Sequence, residues 1–244
     1  RLELHITYTC PERCVFCSEA HRMQQFGRFP VTWGRIATVL RTHATRGVTN
    51  LHLTGGEPTI HPRFVDVLKL ARKLGMRTSV GTIGTMLSRP AFAEAALPHL
   101  NEALFSLHGP RADIHDPLAG RPGSFDTVTQ ALRHGAEVSN FLPMVNTVVT
   151  RANVAALPDT VALAVRLGAR NVVVSNLTPE GAGLDVFDEH AVDLEDLAAV
   201  VDAAAEAAGE ATIRFFGFPM CLLGERWASS NDLHWDPRVT VEWA

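Results

Sequence analysis

Three of the chain's four cysteines fall in the stretch Cys10-Pro-Glu-Arg-Cys14-Val-Phe-Cys17, directly after the alternating run Leu2-Glu3-Leu4-His5-Ile6-Thr7-Tyr8. Clustered thiolates are ligands for soft metals: iron–sulfur clusters, zinc and copper(I). A structural zinc site takes four protein ligands, often as two separated pairs, and no second CxxC follows in this chain. Three sulfurs leave one corner of a metal centre open. An open corner is what a cluster needs if it must bind a substrate as well as carry electrons.

A second chemical signal stands at Thr54-Gly55-Gly56-Glu57-Pro58, after the short strand-like run Asn50-Leu51-His52-Leu53. Paired glycines let the backbone approach a ligand closely, and the proline stiffens the turn. The CxxxCxxC spacing, with aromatic Phe16 before its last cysteine, resembles the signature of the radical S-adenosylmethionine (radical SAM) enzymes, and Gly55–Pro58 resembles that family's GGEP motif at the expected distance downstream.

The resemblance implies that Cys10, Cys14 and Cys17 hold three irons of a four-iron four-sulfur cluster. The fourth iron would take the amino nitrogen and carboxylate of S-adenosylmethionine. An electron from the cluster would then break a carbon–sulfur bond, and the 5′-deoxyadenosyl radical would abstract hydrogen from a peptide or small natural-product substrate. Such a radical needs a covered, dry cavity. By the same resemblance Gly55, Gly56, Glu57 and Pro58 form the loop that holds the cofactor's amino group, with Glu57 adding charge complementarity. Phe16 would pack on the adenine, or else serve as a core aromatic beside the cluster. Ser106, in Ser-Leu-His-Gly, resembles the family's contact to the ribose or the methionine carboxylate, and Asn146 resembles a further contact. An asparagine in an apolar strand is costly unless its amide is satisfied.

Other polar residues are weaker candidates. Many relatives carry Thr-Asn-Gly where this chain has Gly81-Thr82-Ile83-Gly84, so a contact at Thr82 is in doubt. Arg121 is expected to be exposed, His108 is a candidate substrate contact, and Asp185, Asp188 and Glu189 read as a solvated charge run. Carbohydrate or nucleotide modification by the same radical is an alternative. From other classes come a zinc module with Cys10, Cys14, Cys17 and His21 as ligands, and an iron–sulfur electron carrier that binds no cofactor. The zinc module leaves Gly55–Pro58 unexplained.

Strand-like and helix-like segments alternate along the chain, which predicts an α/β fold with a parallel sheet. Strands are expected at residues 2–8, 50–53, 76–81, 103–107, 144–150 and 172–174, with helices between them. Helix starts are predicted at Thr32, Pro62, Pro90, Ser124, Asn153 and Asp193, and residues 108–116 read as a polar loop. Six βα units are too few for a closed eight-stranded barrel, and the family resemblance implies an open (βα)6 partial TIM barrel. Ligands of parallel sheets sit beyond the strands' carboxyl ends. Cys10–Cys17, Gly55–Pro58, Thr82, Ser106 and His108 all follow predicted strands.

Residues 1–210 are expected to form this core, and residues 211–244 a short C-terminal extension packed on it. Trp227 and Trp235 suggest that the extension covers something, Thr240–Ala244 looks strand-like, and lone Cys221 is expected to be a buried small residue rather than an auxiliary-cluster ligand. The first residue, Arg1, and the strand-like end suggest a piece of a longer chain.

With 244 residues, 46% of them hydrophobic, the chain can bury a substantial core. A net charge of −4 gives no electrostatic footprint for nucleic acid, and no apolar run reaches membrane-spanning length. Cysteine usage suits a reducing cytoplasm rather than a disulfide framework. The chemistry would also call for an external one-electron reductant such as flavodoxin or ferredoxin.

Overall fold

The computed structural model describes residues 1–27 and 29–230, and a terminal strand at 240–243. In chain order the elements are β1 (Leu2–Thr7), α1 (Ala20–Phe26), α2 (Trp33–Thr45), β2 (Asn50–Gly55), α3 (Phe64–Lys73), β3 (Arg77–Thr82) and α4 (Pro90–Ala96). Then follow β4 (Glu102–Ser106), α5 (Ala112–Ala119), α6 (Ser124–Ala136), β5 (Leu142–Val149), α7 (Leu157–Arg166) and β6 (Asn171–Asn176). The chain continues with α8 (Ala182–Asp185), α9 (Phe187–His190), α10 (Leu194–Ala208), β7 (Thr212–Phe216), α11 (Met220–Leu223) and β8 (Thr240–Trp243).

All the strand pairs are parallel and form one sheet in the order β7-β6-β5-β4-β3-β2-β1-β8. The six expected strands form its middle. Two more come from residues 211–244: β7 extends one edge beside β6, and β8 the other beside β1. The sheet is open, as a partial barrel requires.

The strands show why. In β5, Pro143, Val145, Thr147 and Val149 are buried, whereas Leu142, Met144, Asn146 and Val148 are only partly covered. Successive side chains of a strand point to opposite faces. One face of the sheet packs under the helices: Val145, Val149 and Val172 belong to the same core as Val161 and Ala164 of α7 and Leu197 and Val201 of α10. The other face is the incompletely filled interior.

The structure corrects several local expectations. Where a polar loop is expected over residues 108–116, the chain turns into α5 from Ala112 to Ala119, with His115 and Leu118 buried. Helix α6 begins at Ser124, but Gly123 holds the cap position and Ser124 is itself buried. Asn153 precedes a single 3-10 turn; its side chain accepts from Thr150 N–H at 2.7 Å and caps no helix. Cys221 is exposed, not buried, because α11 is one short turn on the surface beside α10. Trp227 is exposed as well, while Trp235 and Ala244 lie outside the described residues. Among the described residues no helix is long and apolar enough to cross a membrane.

Candidate functional site

The carboxyl ends of the strands converge on a cavity of about 350 Å³, within the size range of small-molecule sites. Cys10, Cys14 and Cys17 form one wall of it. The same three cysteines also border a second, more apolar cavity of about 380 Å³ on their outer side, with Tyr8, Met23 and Ala182. The three cysteines thus border both spaces, the inner cavity at the strand ends and the outer one.

Two backbone attachments hold the cysteine loop in place. Arg13 N–H and Val15 N–H donate to the carbonyls of Ala119 and Leu118, at the end of α5, at 3.0 Å each. Burial pushes the Cys10 thiol up to about 12 and the Cys14 and Cys17 thiols upward, with neighbouring carboxylates and thiols adding to the effect at Cys10 and Cys14. Bare, the three would keep their protons. A cationic iron–sulfur core takes thiolates in this setting, so the donor set fits such a group.

Among the described residues no three His, Cys, Asp or Glu side chains stand in the arrangement of a single-ion site. A cluster instead spreads its thiolates over separate irons. His21, the fourth ligand of the zinc reading, is exposed and faces Asp185, with Nε2 to Oδ2 at 3.5 Å. Asp185, Asp188 and Glu189 are exposed, as a solvated run should be.

The GGEP loop is packed on the strand that leads to the cysteines. Gly56 N–H donates to Thr7 C=O and Glu57 N–H to Thr9 C=O, both at 2.9 Å. A Cβ on Gly56 would lie 2.3 Å from the Thr9 carbonyl oxygen, and one on Gly55 would lie 2.5 Å from that of Thr7, with Gly55 at φ +114°. Both glycines border the inner cavity, but what they approach closely is protein backbone.

Glu57 is fully buried. Its Oε1 accepts from Thr59 N–H at 3.1 Å, from Thr59 Oγ1 and from Thr82 Oγ1 at 2.7 Å, and its Oε2 accepts from Ile83 N–H at 2.8 Å. The carboxylate thus joins the end of β2 to the end of β3. Burial raises its pKa, and these four donors act against that rise. Pro58 begins a 3-10 turn and is buried. Thr82 borders the cavity and also bonds Glu57, which occupies its hydroxyl.

Across the cavity, Ser106 at the end of β4 is in register with Asn146 of β5. Asn146 Oδ1 accepts from Ser175 Oγ at 2.7 Å, so one half of the amide has a partner in β6. Ser106, Asn146 and Ser175 make a polar row on the inner face. Phe16 borders the same space, 9% exposed, with its ring T-shaped on His108 at 4.8 Å between centroids. Arg121 is half-buried and does not border this cavity.

Sequence reasoning passed over a buried chain of polar groups behind the cysteines. His108 N–H donates to His115 Nδ1 at 3.0 Å, so His115 carries its hydrogen on Nε2 and donates to Ser124 Oγ at 3.2 Å. Ser124 Oγ donates to Glu12 Oε1, and Cys14 Sγ lies 3.6 Å from Glu12 Oε2. Burial pushes the Glu12 carboxyl up to about 7, against the pull of its bonds to Ser124 and Cys14. A glutamate between two cysteines hints at a role for Glu12. Nothing local marks His115 or Ser124 as partners of Glu12, because both are brought in by α5 and α6.

An open parallel sheet whose first strand ends in three cysteines, with a GG turn on the second, defines a class, and residues 4–180 match the Radical SAM superfamily. The chain belongs to that superfamily. It is 32% identical over 212 residues to the PqqA peptide cyclase of Rhodopseudomonas palustris, covering 83% of this chain and 54% of that protein. It is 29% identical over 188 residues to the mycofactocin maturase MftC of Mycobacterium ulcerans, covering 77% of this chain and 50% of the other. The chain thus spans about half the length of the curated relatives it matches. Among solved structures, SuiB of Streptococcus suis bound to S-adenosylmethionine superimposes with a TM-score of 0.71 at 20% identity, over 88% of this chain and 49% of that one. That likeness is one of fold.

Proposed function

We propose that this chain is the catalytic core of a radical SAM enzyme that modifies a peptide. The observation that carries the reading is one cavity walled by Cys10, Cys14 and Cys17 on one side and by Ser106 and Asn146 on the other. The peptide class rests on the likeness to a peptide cyclase and to a maturase.

Cys10, Cys14 and Cys17 would hold a four-iron four-sulfur cluster, which supplies the electron that cleaves S-adenosylmethionine to a 5′-deoxyadenosyl radical. The chain's own part is to bind, orient and exclude water. Gly55, Gly56, Ser106 and Asn146 border the space for the cofactor, with Phe16 as an apolar wall. Glu57 and Pro58 serve it by fixing the loop rather than by a side-chain contact. Residues 1–210 act as the core, with 211–244 as an extension that lends its strands to both sheet edges. A one-electron donor such as flavodoxin or ferredoxin, acting in the cytoplasm, completes the scheme.

The test is anaerobic reconstitution. The protein is expected to take up about four irons per chain and, once reduced, to release 5′-deoxyadenosine and methionine from S-adenosylmethionine. Alanine at any one of Cys10, Cys14 or Cys17 abolishes both. Stoichiometric zinc with no iron uptake defeats the proposal.

A further inference from the structure

His108 is 2% exposed and lines the inner cavity. Three of its four polar groups are committed within the protein. Its N–H donates to His115 Nδ1 at 3.0 Å, its carbonyl accepts from Asn153 Nδ2 at 2.9 Å, and its ring Nδ1 accepts from Val148 N–H at 3.2 Å. A neutral imidazole has one donor and one acceptor nitrogen. Because Nδ1 accepts, the hydrogen is on Nε2, and no acceptor for it stands among the described residues. The ring cannot turn to find one. It is held between the edge contact with Phe16 and a near-parallel stack on His115, with centroids 5.6 Å apart and planes 8° apart. Burial keeps it neutral, with the nearby His115 adding to the same effect.

Nε2–H is thus the one polar group of this residue that the protein leaves uncommitted, and it opens on the cavity that His108 lines. We infer that His108 Nε2–H is a preset, uncharged hydrogen-bond donor to an acceptor atom of S-adenosylmethionine in the inner cavity, with Val148, Asn153 and His115 as the residues that position it. The inference rests on the cofactor reading above. An uncharged donor suits an oxygen or ring-nitrogen acceptor and adds no positive charge beside the sulfonium.

The experiment uses the reconstituted holoenzyme with S-adenosylmethionine as the probe. Asparagine retains an acceptor near the place of Nδ1 for Val148 N–H but removes the donor at Nε2; glutamine reaches the place of Nε2 with an amide donor. His108→Asn is expected to raise the Kd about fivefold or more, and His108→Gln to stay within about threefold of wild type, with iron content unchanged in both. Proton–nitrogen correlation spectra of wild-type holoenzyme with labelled histidine give a second reading that does not depend on a variant folding. The His108 hydrogen must be on Nε2, and its resonance must move when the cofactor is added. Unchanged affinity in His108→Asn, a hydrogen on Nδ1, or an unmoved resonance overturns the inference alone. A wild-type holoenzyme that binds no S-adenosylmethionine overturns the proposed function together with it.

Discussion

Thr82 Oγ1 donates to Glu57 Oε1 across 2.7 Å, in a place that water does not reach. This bond, with Ile83 N–H on the other carboxylate oxygen at 2.8 Å, ties the turn after β2 to the end of β3. Removing the carboxylate leaves several buried donors without an acceptor, each costing about 1–3 kcal/mol. Glu57→Ala is therefore expected to lower the thermal midpoint of the holoenzyme by about 10 °C, since each kcal/mol is worth roughly 2–4 °C in a chain of this size. An unchanged midpoint in a calorimetric scan would show that the clamp carries no stability.

The two glycines of the same turn answer to sterics. Alanine at Gly56 would place its Cβ 2.3 Å from the carbonyl oxygen of Thr9, just past the end of β1. Gly56→Ala should separate the GG turn from β1 and cost at least about 2–3 kcal/mol, as overpacking does. Gly34 is the control: it is exposed in α2, with nothing within 4 Å of where a Cβ would stand. Gly34→Ala should stabilise the protein by about 0.5–1 kcal/mol through helix propensity. Urea unfolding of the pair decides it; equal effects would rule out the steric account.

The polar row concerns binding. Asn146 gives Oδ1 to Ser175 and faces Ser106 across the strands. Ser106→Ala and Asn146→Ala should each weaken S-adenosylmethionine binding by about 1–3 kcal/mol, the worth of a hydrogen bond to a charged or polar ligand group, with the cluster intact. If equilibrium dialysis finds both variants binding like wild type, the cofactor lies elsewhere.

His52 supplies a pH signature. Burial, with Arg1 and His5 adding to it, holds its pKa down at about 3 against an ordinary 6.5, and its Nδ1 lies 2.9 Å from Ser79 Oγ. Between those two pH values the unfolded chain binds the proton and the folded chain does not, so this group's contribution to stability falls as pH falls below 6.5. The stability difference between wild type and His52→Gln should shift against wild type on acidification, with a slope that is small at neutrality and approaches about 1.4 kcal/mol per pH unit once the pH is well below 6.5. A difference independent of pH refutes it.

Cys221 is exposed on α11, beside a surface cavity that includes Leu222 and Arg226. In the holoenzyme it should react rapidly with a thiol reagent, while thiols that ligate the cluster stay protected. Cys221→Ser should remove the fast phase without loss of iron. Slow labelling would restore the burial that its apolar neighbours suggest.

The class of chemistry and the order of the fold can both be read along the chain. Cys10, Cys14 and Cys17 fall within one short loop, so their spacing carries the signal without help from folding. Strand and helix alternation was legible for the same reason: periodicity is local, and β1 to β6 fall where it places them to within a few residues. Meetings between distant segments are another matter, because they exist only once the chain has folded. Glu57 reads as a ligand-facing charge within its motif, yet its partners Thr82 and Ile83 lie 25 and 26 residues away and draw it inward. Ser124 comes to Glu12 across 112 residues of chain, in a helix-borne contact that no local pattern records. Cys221 follows an apolar run and looks buried, but burial depends on what the rest of the chain places over it, and there the chain leaves it open. His108 stands between the two cases. Its position after a strand was visible, whereas its fixed tautomer and single remaining donor arise from Val148, Asn153 and His115, which the parallel sheet and α5 bring around it.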